Sequence, residues 1–180
     1  AGKGAIEYIV KENPTHNYDA AAIEKMKEII LLPLDIFEEH GKETTDPNIN
    51  PNYIKPKMFM FRLQKLMDEY AGGVSAQFKT NQFQLERALE LLKFLREDSE
   101  KLAAEDLHEL MRVWENVHRM WIAESHVRTI LFREETRWPG YYFRPDKPSL
   151  DPEWEKFANL IYHPDTDEWE MLTRPIHKIF

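Results

Sequence analysis

Residues 107–146 read LHELMRVWENVHRMWIAESHVRTILFREETRWPGYYFRPD, and the way this stretch divides decides the fold. Its first part is the longest helix-compatible run in the chain. Asp106 stands before it with Glu109 three residues on, an arrangement that satisfies free amides at a helix start. The run stops at Trp138-Pro139-Gly140. Apolar spacing places Leu107, Leu110, Trp114, Val117, Trp121, Ser125 and Arg128 on the buried line, with Met111 and Ile122 beside it.

Towards the N-terminus, Thr80-Asn81 opens a second helix that buries Leu85, Ala88, Leu89, Leu92 and Leu95 and frays near Leu102. Pro56 suits the first position of another, whose stripe is Phe59, Leu63, Leu66, Met67 and Tyr70, with Gly72-Gly73 as its stop. The aperiodic KETTDPNINPNYIKP of residues 42–56 is a long ordered loop. Asp19 to His40 is helical, with Ile23, Met26, Ile30, Leu34 and Phe37 on one face. Pro33 lacks the amide that bonds to the Ile29 carbonyl and should kink or split that helix. Ala1 to Lys11 is the back half of a helix ended by Asn13-Pro14. On the C-terminal side, Asp151-Pro152-Glu153 starts a short helix. Leu160-Ile161-Tyr162 and Glu168 to Leu172 flank turn residues 163–167 as a β-hairpin. The expected fold is mainly α: a bundle of about three long helices over residues 19–137, with a C-terminal extension over 138–180 containing a short helix and a β-hairpin.

Bulk properties exclude several function classes. A chain of 180 residues accommodates one core. With 24 basic and 32 acidic side chains the net charge is −8, so nothing draws it to nucleic acid or an anionic membrane. No apolar run approaches the roughly 18 residues of a membrane span. The absence of cysteine removes disulfides, thiolate-held zinc and iron–sulfur clusters from this chain. AGKGAIEYIV has no signal-peptide pattern, and the expected location is cytoplasmic.

Two Glu-x-x-His units, Glu105/His108 and Glu115/His118, suggest a dimetal bundle. Lying ten positions apart on one helix, they are separated by roughly 15 Å and about 80°. They cannot share a metal pair, and no metal ligand is assigned. His118, His126, Glu124 and Arg128 form the densest polar group, but no nucleophile faces them, since the adjacent Ser125 points elsewhere. His126 is better read as a hydrogen-bonded histidine at a domain contact, and no catalytic residue is assigned. Arg128, Arg133, Arg137 and Arg144 straddle the helix end, where positive charge complements the carbonyl dipole. Beside Glu134 and Glu135 they form structural ion pairs, with a capacity to hold a neighbour's carboxylates. Trp138, Tyr141, Tyr142 and Phe143 crowd the Pro139-Gly140 turn and either close the bundle or bury themselves against another domain. Gly2, Gly4 and Gly72-Gly73 do not form a phosphate loop, so no cofactor-binding residue is assigned.

With these residues laid out, AGKGAIEYIV, NPNYIKPKMFMFRLQKLMDEYAGGVSAQFKTN, DLHELMRVWENVHRMWIAESHVR, FREETRWPGYYFRPD, DPEWEKF and TRPI together resemble the C-terminal part of the α (flavoprotein) subunits of dissimilatory adenylylsulfate reductases. More distantly, the arrangement is similar to the helical domain of fumarate reductase and succinate dehydrogenase flavoproteins, whose Glu-Ser-Arg-Gly-x-His-x-Arg-x-Asp pattern is met here by Glu135, Thr136, Arg137, Arg144 and Asp146. Trp138-Pro139-Gly140-Tyr141-Tyr142 replaces the Gly-x-His core, so no role is carried over from that histidine. The resemblance implies an FAD-binding subunit that works with an iron–sulfur β subunit holding [4Fe-4S] clusters. Such a pair interconverts AMP plus sulfite plus an oxidised acceptor with adenylylsulfate plus the reduced acceptor. It further implies that residues 1–12 end the last helix of the flavin domain and that FAD and most catalytic residues belong upstream. This chain alone would then carry no cofactor and no reductase activity. The residues expected to dock it against the FAD-binding domain and the iron–sulfur subunit are His126, Arg133, Arg137, Trp138, Tyr141, Tyr142 and Arg144. The rival expectation is an autonomous helical module that binds a protein through the aromatic turn.

Overall fold

The computed structural model describes residues 2–13, 18–41, 50–137 and 142–176. They form α1 (Gly2–Glu12), α2 (Ala20–His40), α3 (Pro56–Tyr70), α4 (Gln82–Ser99) and α5 (Leu107–Phe132), then a 3-10 turn (Pro152–Trp154) and an antiparallel hairpin of β1 (Lys156–His163) and β2 (Glu168–Pro175). The mainly α fold with its terminal hairpin is therefore as expected from the residue pattern. The chain divides into two compact units, residues 1–32 and 33–180, with the boundary inside α2. The bundle and its C-terminal extension share the second unit.

In the first unit, no residue of α1 is buried, and Ile6, Ile9, Val10, Ile23, Met26 and Ile30 are all exposed. Pro33 leaves α2 unbroken and is its one buried residue. Its carbonyl accepts the amide of Ala104 at 2.8 Å, which ties the rest of α2 to the chain entering α5.

The second unit packs α3, α4 and α5 around Phe59, Leu63, Leu85, Ala88, Leu92, Val113, Met120 and Val127. Local chemistry sets the helix starts. Pro56 occupies the first turn of α3. Asn81 accepts the Gln84 amide at 2.9 Å, and Asp106 accepts that of Glu109 at 2.8 Å while Glu109 reaches back to the Glu105 amide at 3.0 Å. Gly73 is required sterically: a Cβ there would lie 2.3 Å from the Asp68 Cα.

Two expectations for α5 are corrected. Its buried line is Leu110, Val113, Asn116, Met120, Ala123, Glu124, Val127 and Ile130, whereas Leu107, Met111 and Ile122 are exposed. The stripe is turned by about one residue, or roughly 100°. Small Ala123 and hydrogen-bonded Asn116, whose Nδ2 donates to the Pro56 carbonyl at 2.8 Å, face inward, and Trp114 and Trp121 straddle the boundary. The helix also ends at Phe132, six residues before Trp138, because Arg144 covers its last carbonyls.

The hairpin lies on the bundle through an aromatic cluster. Trp121, Tyr162 and Trp169 pack with centroids 4.8 to 5.8 Å apart. Arg96 of α4 lies 4.6 Å from the Trp121 ring, donates to the Tyr162 hydroxyl and pairs with Asp167. Asp167 turns the hairpin with a φ of 57°, a left-handed conformation that aspartate tolerates better than most residues.

Candidate functional site

The segment after α5 is an elbow with a sealed interior. Arg144, 1% exposed, donates from Nη1 to the carbonyls of Ile130, Leu131 and Arg133 at 3.0, 3.3 and 3.1 Å. It thereby supplies the donors that a helix C-terminus lacks, with positive charge at the negative end of the dipole. Its Nη2 bonds to Asp146 at 2.6 Å, and the same Asp146 carboxylate accepts the Gln82 amide at 3.0 Å at the start of α4. One ion pair thus closes two helix ends of opposite polarity. Burial by itself raises the Asp146 pKa, but the hydrogen bonds from Arg144 and the Gln82 amide outweigh it and hold the carboxyl below its ordinary value.

Glu135 is sealed in the same elbow at 0% exposure. Arg137 grips it through both oxygens at 2.7 and 3.0 Å, Arg133 adds a bond to Oε1, and the Asp151 amide reaches Oε2 at 3.2 Å. Burial raises its pKa, and the Arg137 and Arg133 hydrogen bonds reverse the sign, so it stays ionised below the usual glutamate range. Thr136 finishes the interior, accepting the Arg144 amide at 3.0 Å and donating to the Lys147 carbonyl at 2.9 Å.

Beside this interior lies an open cavity of about 440 Å³. His126, Arg133, Arg137 and Tyr142, four of the residues expected to dock, line it together with Trp154, Lys156 and Phe157. Trp138 and Tyr141 fall outside the described residues. Arg144 lies beneath, its guanidinium committed within the chain. Arg133 is locked by the Trp154 and Lys156 carbonyls at 2.9 and 3.1 Å, and Lys156 Nζ stands 4.7 Å from the Trp154 ring. Burial lowers the His126 pKa from its ordinary value, although the residue still meets solvent at the cavity mouth. The sequence reading missed Trp154, Lys156 and Phe157. They come from a segment whose apposition to α5 is tertiary, and the Pro152 turn signal could have flagged only its start.

The other expected groupings separate. Glu124 is buried against Arg128, at 2.7 and 2.9 Å, with Arg128 lying 5.5 Å from the Trp169 ring. His108 accepts from Arg112 and Glu115 pairs with Arg119, both along the helix surface. Among the described residues no group of three His, Asp or Glu side chains is placed to hold a metal. Nor is any described helix long and apolar enough to cross a membrane.

No protein-family model matches the chain. The adenylylsulfate reductase subunit alpha of Megalodesulfovibrio gigas is 44% identical over 157 residues, which are 87% of this chain and 24% of that protein. This chain is homologous to adenylylsulfate reductase α subunits. The solved adenylylsulfate reductase of Archaeoglobus fulgidus superposes with a TM-score of 0.94 at 48% identity, over 98% of this chain and 28% of that one. An adenosine-5-phosphosulfate reductase in complex with sulfite, a covalent adduct, gives 0.94 at 49% identity with the same coverage. The Mycobacterium smegmatis Sdh1 complex with UQ1 reaches 0.71 at 19% identity, a likeness of fold. The chain spans about a quarter of the length of the reductases it matches.

Proposed function

We propose that this chain is the C-terminal structural part of an adenylylsulfate reductase flavoprotein, bracing the FAD-binding domain and contributing to contact with an iron–sulfur β subunit. The parent reaction is the interconversion of AMP, sulfite and oxidised acceptor with adenylylsulfate and reduced acceptor. The observation that carries the reading is the superposition on a reductase over 98% of the chain at 49% identity. The exposed apolar residues of the first unit agree with it, since Ile6, Ile9, Val10 and Met26 are between 55 and 77% exposed. Contiguous apolar surface on helices marks a face that another polypeptide covers.

The FAD of the parent does not fit the residues described. The described strands form a single antiparallel hairpin, with no parallel strand–helix–strand unit to present a glycine-rich turn to a pyrophosphate. No catalytic step is therefore assigned to this chain's side chains. Its contribution is to hold neighbours in position.

The test is purification of the natural protein at the length of its relatives, beside the 180-residue chain. The expected result is a flavin absorption spectrum and AMP-dependent oxidation of sulfite in the former, with an iron-containing protein co-purifying, and neither activity nor flavin in the latter. A 180-residue chain that retains flavin, or a natural protein that is flavin-free and monomeric, overturns the reading. The second of these outcomes would favour the autonomous interaction module.

A further inference from the structure

We infer that the cavity between His126, Arg137 and Lys156 receives an acidic, apolar-flanked segment of a partner polypeptide. The inference deepens the docking role proposed above and rests on it. Three features of the cavity carry the argument. The first is charge: Arg133, Arg137 and Lys156 line it, on a chain whose net charge is −8. Of the carboxylates nearby, Glu135 is sealed behind the arginines and Glu155 acts on Arg137 through space. A positive basin on an acidic protein selects an acidic partner and repels further copies of the chain.

The second feature is donors left over. Arg133 spends its guanidinium on Glu135 and on the Trp154 and Lys156 carbonyls, and is scaffold. Arg137 commits Nε and Nη2 to Glu135, which fixes its plane and leaves Nη1 directed away from that pair. Lys156 rests its ammonium on the Trp154 ring. Two cations held in place by packing can meet a carboxylate without first losing their own freedom. The third feature is the wall. Tyr142, Trp154 and Phe157 surround the cations, and Phe157 is 57% exposed. A small inorganic anion would leave those rings wet, whereas a side chain next to an acidic residue would cover them.

The test uses isothermal titration of the full chain with acetyl-Leu-Asp-Glu-Leu-amide, its neutral counterpart acetyl-Leu-Asn-Gln-Leu-amide, sodium acetate and inorganic phosphate. The expected result is that the acidic peptide binds at least about tenfold more tightly than the neutral one and than either small anion. Lys156→Gln should weaken it about fivefold to tenfold, and Lys156→Arg should restore it, with unchanged circular-dichroism melts showing that both variants are folded. Equal binding of the two peptides, or tighter binding of phosphate or acetate, overturns the inference, as does a Lys156→Gln chain that binds like the wild type. If peptide binding fails while the natural protein still assembles with its partner, this inference falls and the docking reading stands. If assembly itself fails, the docking reading falls too.

Discussion

Arg137 and Arg144 belong to one elbow and carry the same guanidinium, yet the protein uses them in opposite ways. The side chain of Arg144 is 1% exposed, against 27% for Arg137. Arg144 meets three backbone carbonyls and Asp146, so its charge completes structure that exists inside the chain. Arg137 meets one carboxylate through Nε and Nη2 and lines an open cavity. Burying an arginine costs so much solvation that it persists only where every donor is matched. A partly exposed arginine carries no such demand, because water can satisfy a donor that the protein leaves unmatched. The difference separates what makes the elbow from what the elbow offers.

Loss of the Arg144 charge has the largest expected effect. Arg144→Met keeps the stem's volume and removes the charge, which strands the Ile130, Leu131 and Arg133 carbonyls and leaves Asp146 without its cation. The expected loss is about 3–5 kcal/mol by chemical denaturation. By contrast, Arg137→Met leaves Glu135 still gripped by Arg133 and the Asp151 amide, and should cost less than half as much. Equal losses at the two positions would erase the distinction drawn between them.

Glu135→Gln is the next largest effect. It leaves two guanidinium groups facing an amide in a site closed to water, with an expected cost of about 2–4 kcal/mol. Its pH dependence gives an independent check. The folded-state pKa of Glu135 lies below its ordinary value of 4.5, so the group contributes stability that is present above that value. This contribution is lost as pH falls through the folded pKa, because the unfolded chain then binds the proton more readily. Wild type and Glu135→Gln should therefore differ most at neutral pH and converge in acid. A gap that stays constant from neutral pH down to acid would mean that the glutamate is not held ionised.

Much of this architecture is legible locally, and the exceptions share a cause. Asn81, Asp106 and Pro56 announce their helices because capping depends on residues three or four positions away. The hairpin is announced by its turn residues. The inward face of α5 is harder, because Trp114 and Trp121 have the area of core residues and the polarity of boundary ones, so counting apolar positions turns the helix by a residue. The cavity was half visible. His126, Arg133, Arg137 and Tyr142 stand out by chemistry, whereas Lys156 and Trp154 acquire meaning only when the segment after Pro152 folds back on α5. Arg144 is grouped by sequence with the docking residues for the same reason, as nothing in its neighbourhood in sequence says that carbonyls 11 to 14 residues earlier will end beside it.

The hairpin supplies a case between these extremes. Arg96 stacks on Trp121 while pairing with Asp167, which is a contact across 71 residues made at half-exposed positions. Trp121→Ala should remove the ring that Tyr162, Trp169 and Arg96 all pack against, at an expected cost of about 2–3 kcal/mol. The diagnostic observation is local: amide exchange in β1 and β2 should accelerate more than in α3 and α4. Uniform acceleration would mean that the hairpin and bundle unfold as one body.

The smallest effect belongs to His126, on the open side of the elbow. Burial in the cavity wall lowers its pKa below the ordinary 6.5, so the folded chain favours neutral imidazole more than the unfolded chain does. Stability from this group is present above that ordinary value and is lost as pH falls through the lower folded pKa. Arg133, Arg137, Lys156 and Tyr142 share the cavity, and none supplies an anion to offset the cost of protonation. His126→Gln should abolish a shallow decline in stability below about pH 6.5 and change little above it. An acidic segment seated beside Arg137 and Lys156 would reverse this preference, because a carboxylate favours the imidazolium. The His126 ring resonances, followed by NMR through a pH titration, should then shift their midpoint upward when the acidic peptide is added and stay fixed with the neutral one.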